Sequence, residues 1–341
     1  MIRSIRNFWI LLLISLAFVE ITLRTAGISP VPRSSLAVES RLNYYVEDQR
    51  LGWYHRPGIK KVFPLRDEPP YIVTILENGA RATRKPRASA HDIRRDLIFV
   101  GCSFTHGFGL NDEETYAWKV QAALPGWNVH NFGVNGYGTC QSYMLLKRLF
   151  ESQRWHNPVV IYGFIDAHEE RNVADYLWHS ALSTLSSPGN VSLPSCMLDS
   201  SGAIVFNASR PYPQWPLRHT LAVVPLFEKL YLKLRGASLA SQKRRITEEL
   251  LVEMEAFATS QSGHLGVLLF DADRGRTNPY RQFLERRQSQ IIDITVPKSI
   301  NIGSLTFFDG HPNSRMTDLI AENVVHFVGT LAAKGVAGPG A

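Results

Sequence analysis

Residues 97–107 decide the fold: Leu97-Ile98-Phe99-Val100-Gly101-Cys102-Ser103-Phe104-Thr105-His106-Gly107. Four apolar residues in a row are too few for a helix, and the run stops at a glycine. A strand covered on both faces reads this way, because alternate side chains point to opposite faces and both must be apolar. The residues after it belong to a loop at the strand's carboxyl end. Working outward, strand and helix patterns alternate. A helix is predicted over Thr115–Leu124, a strand over Val129–Phe132, a helix over Gln141–Gln153 and a strand over Val159–Phe164. After a long gap come a helix at Ile246–Ala258, a strand at Gly266–Phe270, a helix at Pro279–Arg287 and a short strand at Ile291–Ile294. From Arg315 to Leu331, residues Met316, Leu319, Ile320, Val324, Phe327, Val328 and Leu331 share one helical face. This alternation predicts an α/β fold, a three-layer α/β/α sandwich on a central parallel sheet. Its site is expected beyond the carboxyl ends of the strands.

The chain has 341 residues, 45% hydrophobic and 20% charged, which suits a globular core rather than disorder. The net charge of +7 is scattered. One denser basic stretch, Arg81–Arg95, has little aromatic interleaving and no nucleic-acid motif. It reads as a solvated connector, with a patch for lipid headgroups or an acidic glycan as the alternative. At the amino terminus, Arg3 and Arg6 precede the apolar run Phe8–Val19, which Glu20 interrupts and Ile21–Leu23 extend. Residues 1–28 read as an uncleaved signal anchor, with a cleaved signal and a buried helix as alternatives. The arginines would stay cytoplasmic, making this a single-pass protein of the inner membrane with the remainder extracytoplasmic. Residues 29–95 are then a Pro/Ser-rich tether followed by a small β-rich region with a strand at Tyr71–Leu76. Residues 96–333 form the α/β domain, residues 173–240 an insertion near the site, and residues 334–341 a frayed tail. Three cysteines, Cys102, Cys140 and Cys196, allow one disulfide whose pairing stays open, and no CxxC suggests zinc.

Three blocks carry the chemistry. Ser103 follows the first core strand, so its hydroxyl is presented at the strand's carboxyl end and its N–H is free to help hold an oxyanion. The bland alternative is a turn residue or helix cap. Asn131-Phe132-Gly133-Val134-Asn135-Gly136-Tyr137-Gly138 follows the second strand. Its glycines let the backbone approach a ligand or turn tightly, and the G-x-G-x-x-G spacing of a dinucleotide loop is absent. Asp309-Gly310-His311-Pro312-Asn313 precedes the last helix. A carboxylate beside a histidine fixes its tautomer and stabilises the imidazolium formed when the ring takes a serine proton.

Together, in this order, the blocks resemble the SGNH (GDSL-type) hydrolase family over residues 97–331. The region before them, with Leu51-Gly52-Trp53, Pro57-Gly58 and Asn78-Gly79-Ala80-Arg81, is similar to that of membrane-anchored members. The resemblance implies Ser103 as nucleophile, Gly136 as an oxyanion N–H donor, and His311 as general base oriented by Asp309. Three departures stand out. Cys102 replaces the family's aspartate. Asp309 and His311 are separated by one residue instead of two, and Phe308 occupies the usual acid position. The third block reads Gly163-Phe164-Ile165-Asp166, without the oxyanion asparagine, so His168, Arg171 or Asn172 just downstream would have to replace that donor. A metal site of the H-E-x-x-H kind would need a histidine where Asn172 stands. The expected activity is ester hydrolysis on an acylated small molecule, glycan or lipid, with no cofactor, no metal and no nucleic-acid partner. The alternatives are an O-acyltransferase for a surface polysaccharide and a degenerate, non-catalytic member of the fold.

Overall fold

The structure, a computed structural model, describes residues 2–31, 44–85, 95–185, 191–211, 215–270, 278–294, 296 and 300–333. Most of the expected tether, much of the basic stretch Arg81–Arg95 and the expected tail lie outside these residues. Helix α1 (Ile2–Thr25) carries a span, Ile5–Thr25, long and apolar enough to cross a membrane, and none of it is buried in the protein. Two antiparallel hairpins follow: β1 (Tyr45–Asp48) with β2 (Gly52–His55), and β3 (Ile59–Leu65) with β4 (Glu68–Ile75).

The core alternates as expected. Its elements are β5 (Arg95–Gly101), α2 (Ser103–His106), α3 (Tyr116–Ala123), β6 (Trp127–Gly133), α4 (Thr139–Ser152) and β7 (Val159–Phe164). Then come α5 (His168–Asn172), α6 (Tyr176–Leu185) and the hairpin β8 (Ser192–Leu198) and β9 (Ile204–Pro211). The long helix α7 (Val223–Ser260), β10 (His264–Leu269), α8 (Pro279–Arg286), β11 (Ile291–Asp293) and α9 (Ser314–Ala333) complete the chain. Strands β11, β10, β7, β5 and β6 form, in that order, one parallel sheet. Leu97 and Phe99 point to the side covered by α3 and α9, while Ile98 and Val100 point to the side covered by α4 and α7. That two-sided burial is why the Leu97–Val100 run is uniformly apolar.

Helix α7 departs from expectation. Only its second half, around Ile246–Ala258, reads as helical in sequence, yet it begins at Val223. Arg81 is a second departure. It is fully buried rather than solvated. Its guanidinium donates to the carbonyls of His106 (2.9 Å), Gly107 (2.7 Å), Leu110 and Ile72 (3.3 Å) and pairs with Asp112 (3.0 Å). It bolts the hairpin region to the loop that leaves α2. Arg84, at the start of the same stretch, bonds Gln121 and Asn128.

Candidate active site

Ser103 opens α2 immediately after β5 and is almost wholly buried. The chain turns from strand to helix through Gly101, whose φ is +152°. A side chain there would strike Thr105 Oγ1 at 2.3 Å and the Gly163 carbonyl at 2.9 Å. Only glycine lets α2 sit this close to the strand. The Ser103 N–H belongs to the first turn of α2, where no intrahelical acceptor exists.

His311 is delivered from the far end of the chain. Phe307 N–H donates to the His311 carbonyl (2.8 Å) and Gly310 N–H to the Phe307 carbonyl (3.0 Å), closing a tight turn through Gly310 at φ +85°. Asn313 then caps α9, accepting from Arg315 N (3.1 Å) and Met316 N (3.3 Å). His311 Nε2 lies 2.8 Å from Ser103 Oγ across a sequence separation of 208. The imidazole sits between the rings of Phe104 and Phe108, at centroid distances of 4.9 and 4.7 Å. These two phenylalanines flank the serine turn, and no motif or periodicity in the sequence marks them.

Asp309 reaches the other ring nitrogen despite its shortened spacing. Its Oδ2 is 3.0 Å from His311 Nδ1, and its Oδ1 accepts the backbone N–H of His311 at 3.2 Å. A carboxylate two residues before a histidine can fold back in this way because Asp bonds the backbone two residues on. The Nδ1 contact is close but not aligned as an N–H···O bond. Burial holds the His311 pKa below its ordinary value, Asp309 opposes that shift, and the charge of Arg171 adds to it. The ring is therefore neutral near pH 7, the form that can accept a proton.

Gly136 lies on the loop after β6, with φ +85°. Its loop is held against the serine strand by Val134 N–H, which donates to the Gly101 carbonyl at 3.0 Å. A side chain at Gly136 would meet the Trp53 ring at 3.1 Å and the Trp178 ring at 3.5 Å, so aromatic walls from β2 and α6 flank the loop. Trp53 Nε1 donates to the Asn135 carbonyl at 3.1 Å.

Of the two tentative side-chain oxyanion donors, Asn172 is bonded elsewhere and His168 is bonded through one ring nitrogen only. Asn172 is fully buried. Its Oδ1 accepts Cys140 N–H (2.9 Å), and its Nδ2 reaches the hydroxyls of Thr139 (3.2 Å) and Thr247 (2.9 Å). It ties α4 to α7. His168 is buried too, with Nδ1 2.6 Å from the Tyr162 hydroxyl, which in turn reaches Thr139 Oγ1 at 2.8 Å. The His168 Nε2 is buried and has no hydrogen-bond partner among the described residues. Burial pushes the His168 pKa far down, so the doubly protonated donor form is not populated. Arg171 remains from that turn. Its Nη1 donates to the Tyr137 carbonyl (3.0 Å), its guanidinium lies 4.5 Å from the Trp178 ring centroid, and its Nε has no partner among the described residues.

Cys140 and Cys196 are joined in a disulfide, which pins the β8–β9 hairpin to the first turn of α4. Cys102 is a free, buried thiol. Among the described residues no cluster of His, Cys, Asp or Glu is placed to hold a metal ion.

The chain is similar to lipolytic proteins of the G-D-S-L family with known structures. A G-D-S-L family member from Veillonella parvula matches at 12% identity, with 68% of this chain and 96% of that chain covered and a TM-score of 0.39. A psychrotrophic esterase from Pseudoalteromonas sp. matches at 11% identity, covering 70% and 99%, with a TM-score of 0.39. A catalytic mutant of an acetylxylan esterase from Geobacillus stearothermophilus matches at 13% identity, covering 69% and 94%, with a TM-score of 0.39. No family model and no curated protein matches the chain.

Proposed function

We propose that this chain is a membrane-tethered serine hydrolase of the SGNH kind, acting on ester bonds. The observation that carries the reading is the 2.8 Å approach of His311 Nε2 to Ser103 Oγ. His311, neutral and held between two phenylalanine rings, takes the Ser103 proton as Oγ attacks the acyl carbonyl. Asp309 stabilises the imidazolium that forms. The oxyanion is held by the N–H groups of Ser103 and Gly136. The Arg171 guanidinium, whose charge is felt at His311, adds a positive field at the site in place of the hydrogen-bond donor that an asparagine would supply. The imidazolium then protonates the departing alcohol, and water, activated by the same ring, releases the acyl group.

The substrate class is an O-acylated glycan or lipid outside the inner membrane. Three features support this. Helix α1 suits a single-pass anchor, the Cys140–Cys196 bridge suits an oxidising compartment, and the Trp53 and Trp178 rings beside Gly136 suit the face of a sugar or an acyl chain. A fluorophosphonate probe tests the chemistry. Labelling is expected in the native chain and in Cys102→Ala, and is lost in Ser103→Ala. Persistent labelling of Ser103→Ala, or none of the folded native chain, would overturn the assignment.

A further inference from the structure

The first turns of α7 leave an apolar stripe uncovered. Leu232 and Glu228 face inward, while Leu226, Phe227, Leu230 and Leu234 are 46, 59, 54 and 65% exposed. Their spacing places them along one side of the helix. Trp215, Pro216, Val224 and Tyr231 extend the stripe into a shallow apolar groove. A contiguous apolar surface of this kind marks an interaction site.

The occupant is indicated by α1. Glu20, the acid that breaks the apolar run, caps α7: its two carboxylate oxygens accept the N–H groups of Ala222 (2.8 Å) and Val223 (3.1 Å). Arg24 bonds Glu20 (2.7 Å) and donates to the Thr220 carbonyl (2.7 Å). Beyond α1, Val31 N–H donates to the Arg218 carbonyl (3.0 Å) and the Val31 carbonyl meets the His219 ring (2.8 Å). The outer end of the membrane-crossing span is thus fixed to the start of α7, within a turn of Leu226. A bilayer that receives Ile5–Thr25 reaches the stripe as well. Exposed Lys229 and Lys233 flank it, and Arg235 lies over the Tyr176 ring at 5.6 Å. Apolar, aromatic and basic side chains in this arrangement suit a helix lying in the headgroup region.

We infer that the start of α7, Val223–Leu234, lies in the outer interface of the bilayer that α1 crosses, with its apolar stripe toward the acyl chains. The catalytic domain is thereby held flat against the leaflet instead of swinging on a tether. The inference rests on the anchor reading of α1 and is independent of the ester chemistry.

The test uses the full chain reconstituted into phosphatidylethanolamine/phosphatidylglycerol vesicles. An environment-sensitive fluorophore is attached at Leu230→Cys, or at Glu322→Cys on α9, across the sheet. The expected result is a blue-shift at Leu230 on reconstitution and loss of emission when doxyl-labelled lipid is included, with neither change at Glu322. A water-like Leu230 label in chains that float with the vesicles overturns the α7 placement alone. A blue-shift without quenching by lipid also overturns it, because protein then covers the stripe. Failure of the chain to float overturns the anchor and the α7 placement together.

Discussion

Arg81 offers the sharpest test of how the hairpin region supports the site. Replacing it with methionine keeps comparable length but removes every donor. Gly107 and Leu110 lose the guanidinium from their carbonyls, and Asp112 loses its buried ion-pair partner. His106 keeps a long contact from Asn131 (3.4 Å), and Asp112 keeps Thr74 N–H (3.1 Å). A buried group left without its hydrogen bond costs about 1–3 kcal/mol. Breaking a buried pair costs about 3–5 kcal/mol. The groups share one pocket, so the terms do not simply add, and a total of about 5 kcal/mol is expected. That is a large share of a net stability of about 5–15 kcal/mol. Urea unfolding of the detergent-solubilised chain, followed by tryptophan fluorescence, reads it directly. With a slope of about 3 kcal/mol/M, the midpoint falls by roughly 1.5–2 M. Arg81→Lys keeps the charge and loses the planar fork, so it should fall between the two. Because Arg81 holds the carbonyls just after α2, the lysine variant should also label more slowly with fluorophosphonate while still folded. A midpoint shift under about 0.5 M in Arg81→Met would refute the clamp.

The remaining predictions concern the site and its supports. Removing the base in His311→Ala should slow fluorophosphonate labelling about 10²–10⁴-fold, the usual range for general-base catalysis. In the native chain the His311 pKa is lowered, so the reactive neutral ring persists to more acid pH than a free imidazole, and the acid limb of the labelling rate should lie below pH 6.5. Asp309 raises that pKa, so Asp309→Asn should move the limb to lower pH while reducing the plateau. An upward move would contradict the contact. Arg171→Gln should lower kcat on a soluble aryl ester about 10²–10³-fold, as loss of an oxyanion donor does, without shifting the unfolding midpoint comparably, and Arg171→Lys should restore part of it. The Cys140–Cys196 bridge closes a loop of 56 residues in sequence separation. By chain entropy its loss in Cys196→Ser should cost at most about 4 kcal/mol, read as a lower urea midpoint that reductant no longer changes.

The sheet was legible because burial on two faces leaves a local signature: short apolar runs at Leu97–Val100 and Val159–Phe164, each broken by glycine or polar residues. The approach of His311 to Ser103 could be expected only through the family resemblance of the three blocks taken together, since each block alone has a bland reading. The start of α7 was not legible, because its apolar side switches: Leu230 and Leu234 face outward where Leu250 and Met254 face the sheet. A periodicity search assumes one apolar face along a helix. The burial of Arg81 is not visible in the sequence, because a charge count says nothing about burial. In the polar run His168–Asn172 the sequence does not separate solvated from buried positions, and His168 and Asn172 build a buried network among α4, α5 and β7, with Asn172 reaching on to α7.

What places Ser103 and the Gly136 loop lies largely outside the sheet that presents them. The serine turn is braced by Arg81, the Gly136 loop by Trp53, and the first turn of α4 behind that loop by the disulfide to β8. Each brace meets a segment just beyond a strand's carboxyl end, where the sheet's own hydrogen bonding has stopped. A chain cut at residue 95 keeps all five parallel strands, yet loses Arg81 and Trp53 and, from the core on one side of the sheet, Leu51 and Ala80. Such a fragment should unfold at a lower urea midpoint than Arg81→Met, and in its folded fraction the serine turn and Gly136 loop lose their fixed geometry. Because a misplacement of about 1 Å in a catalytic group can cost 10²-fold in rate, its labelling should fall far more than its helix content.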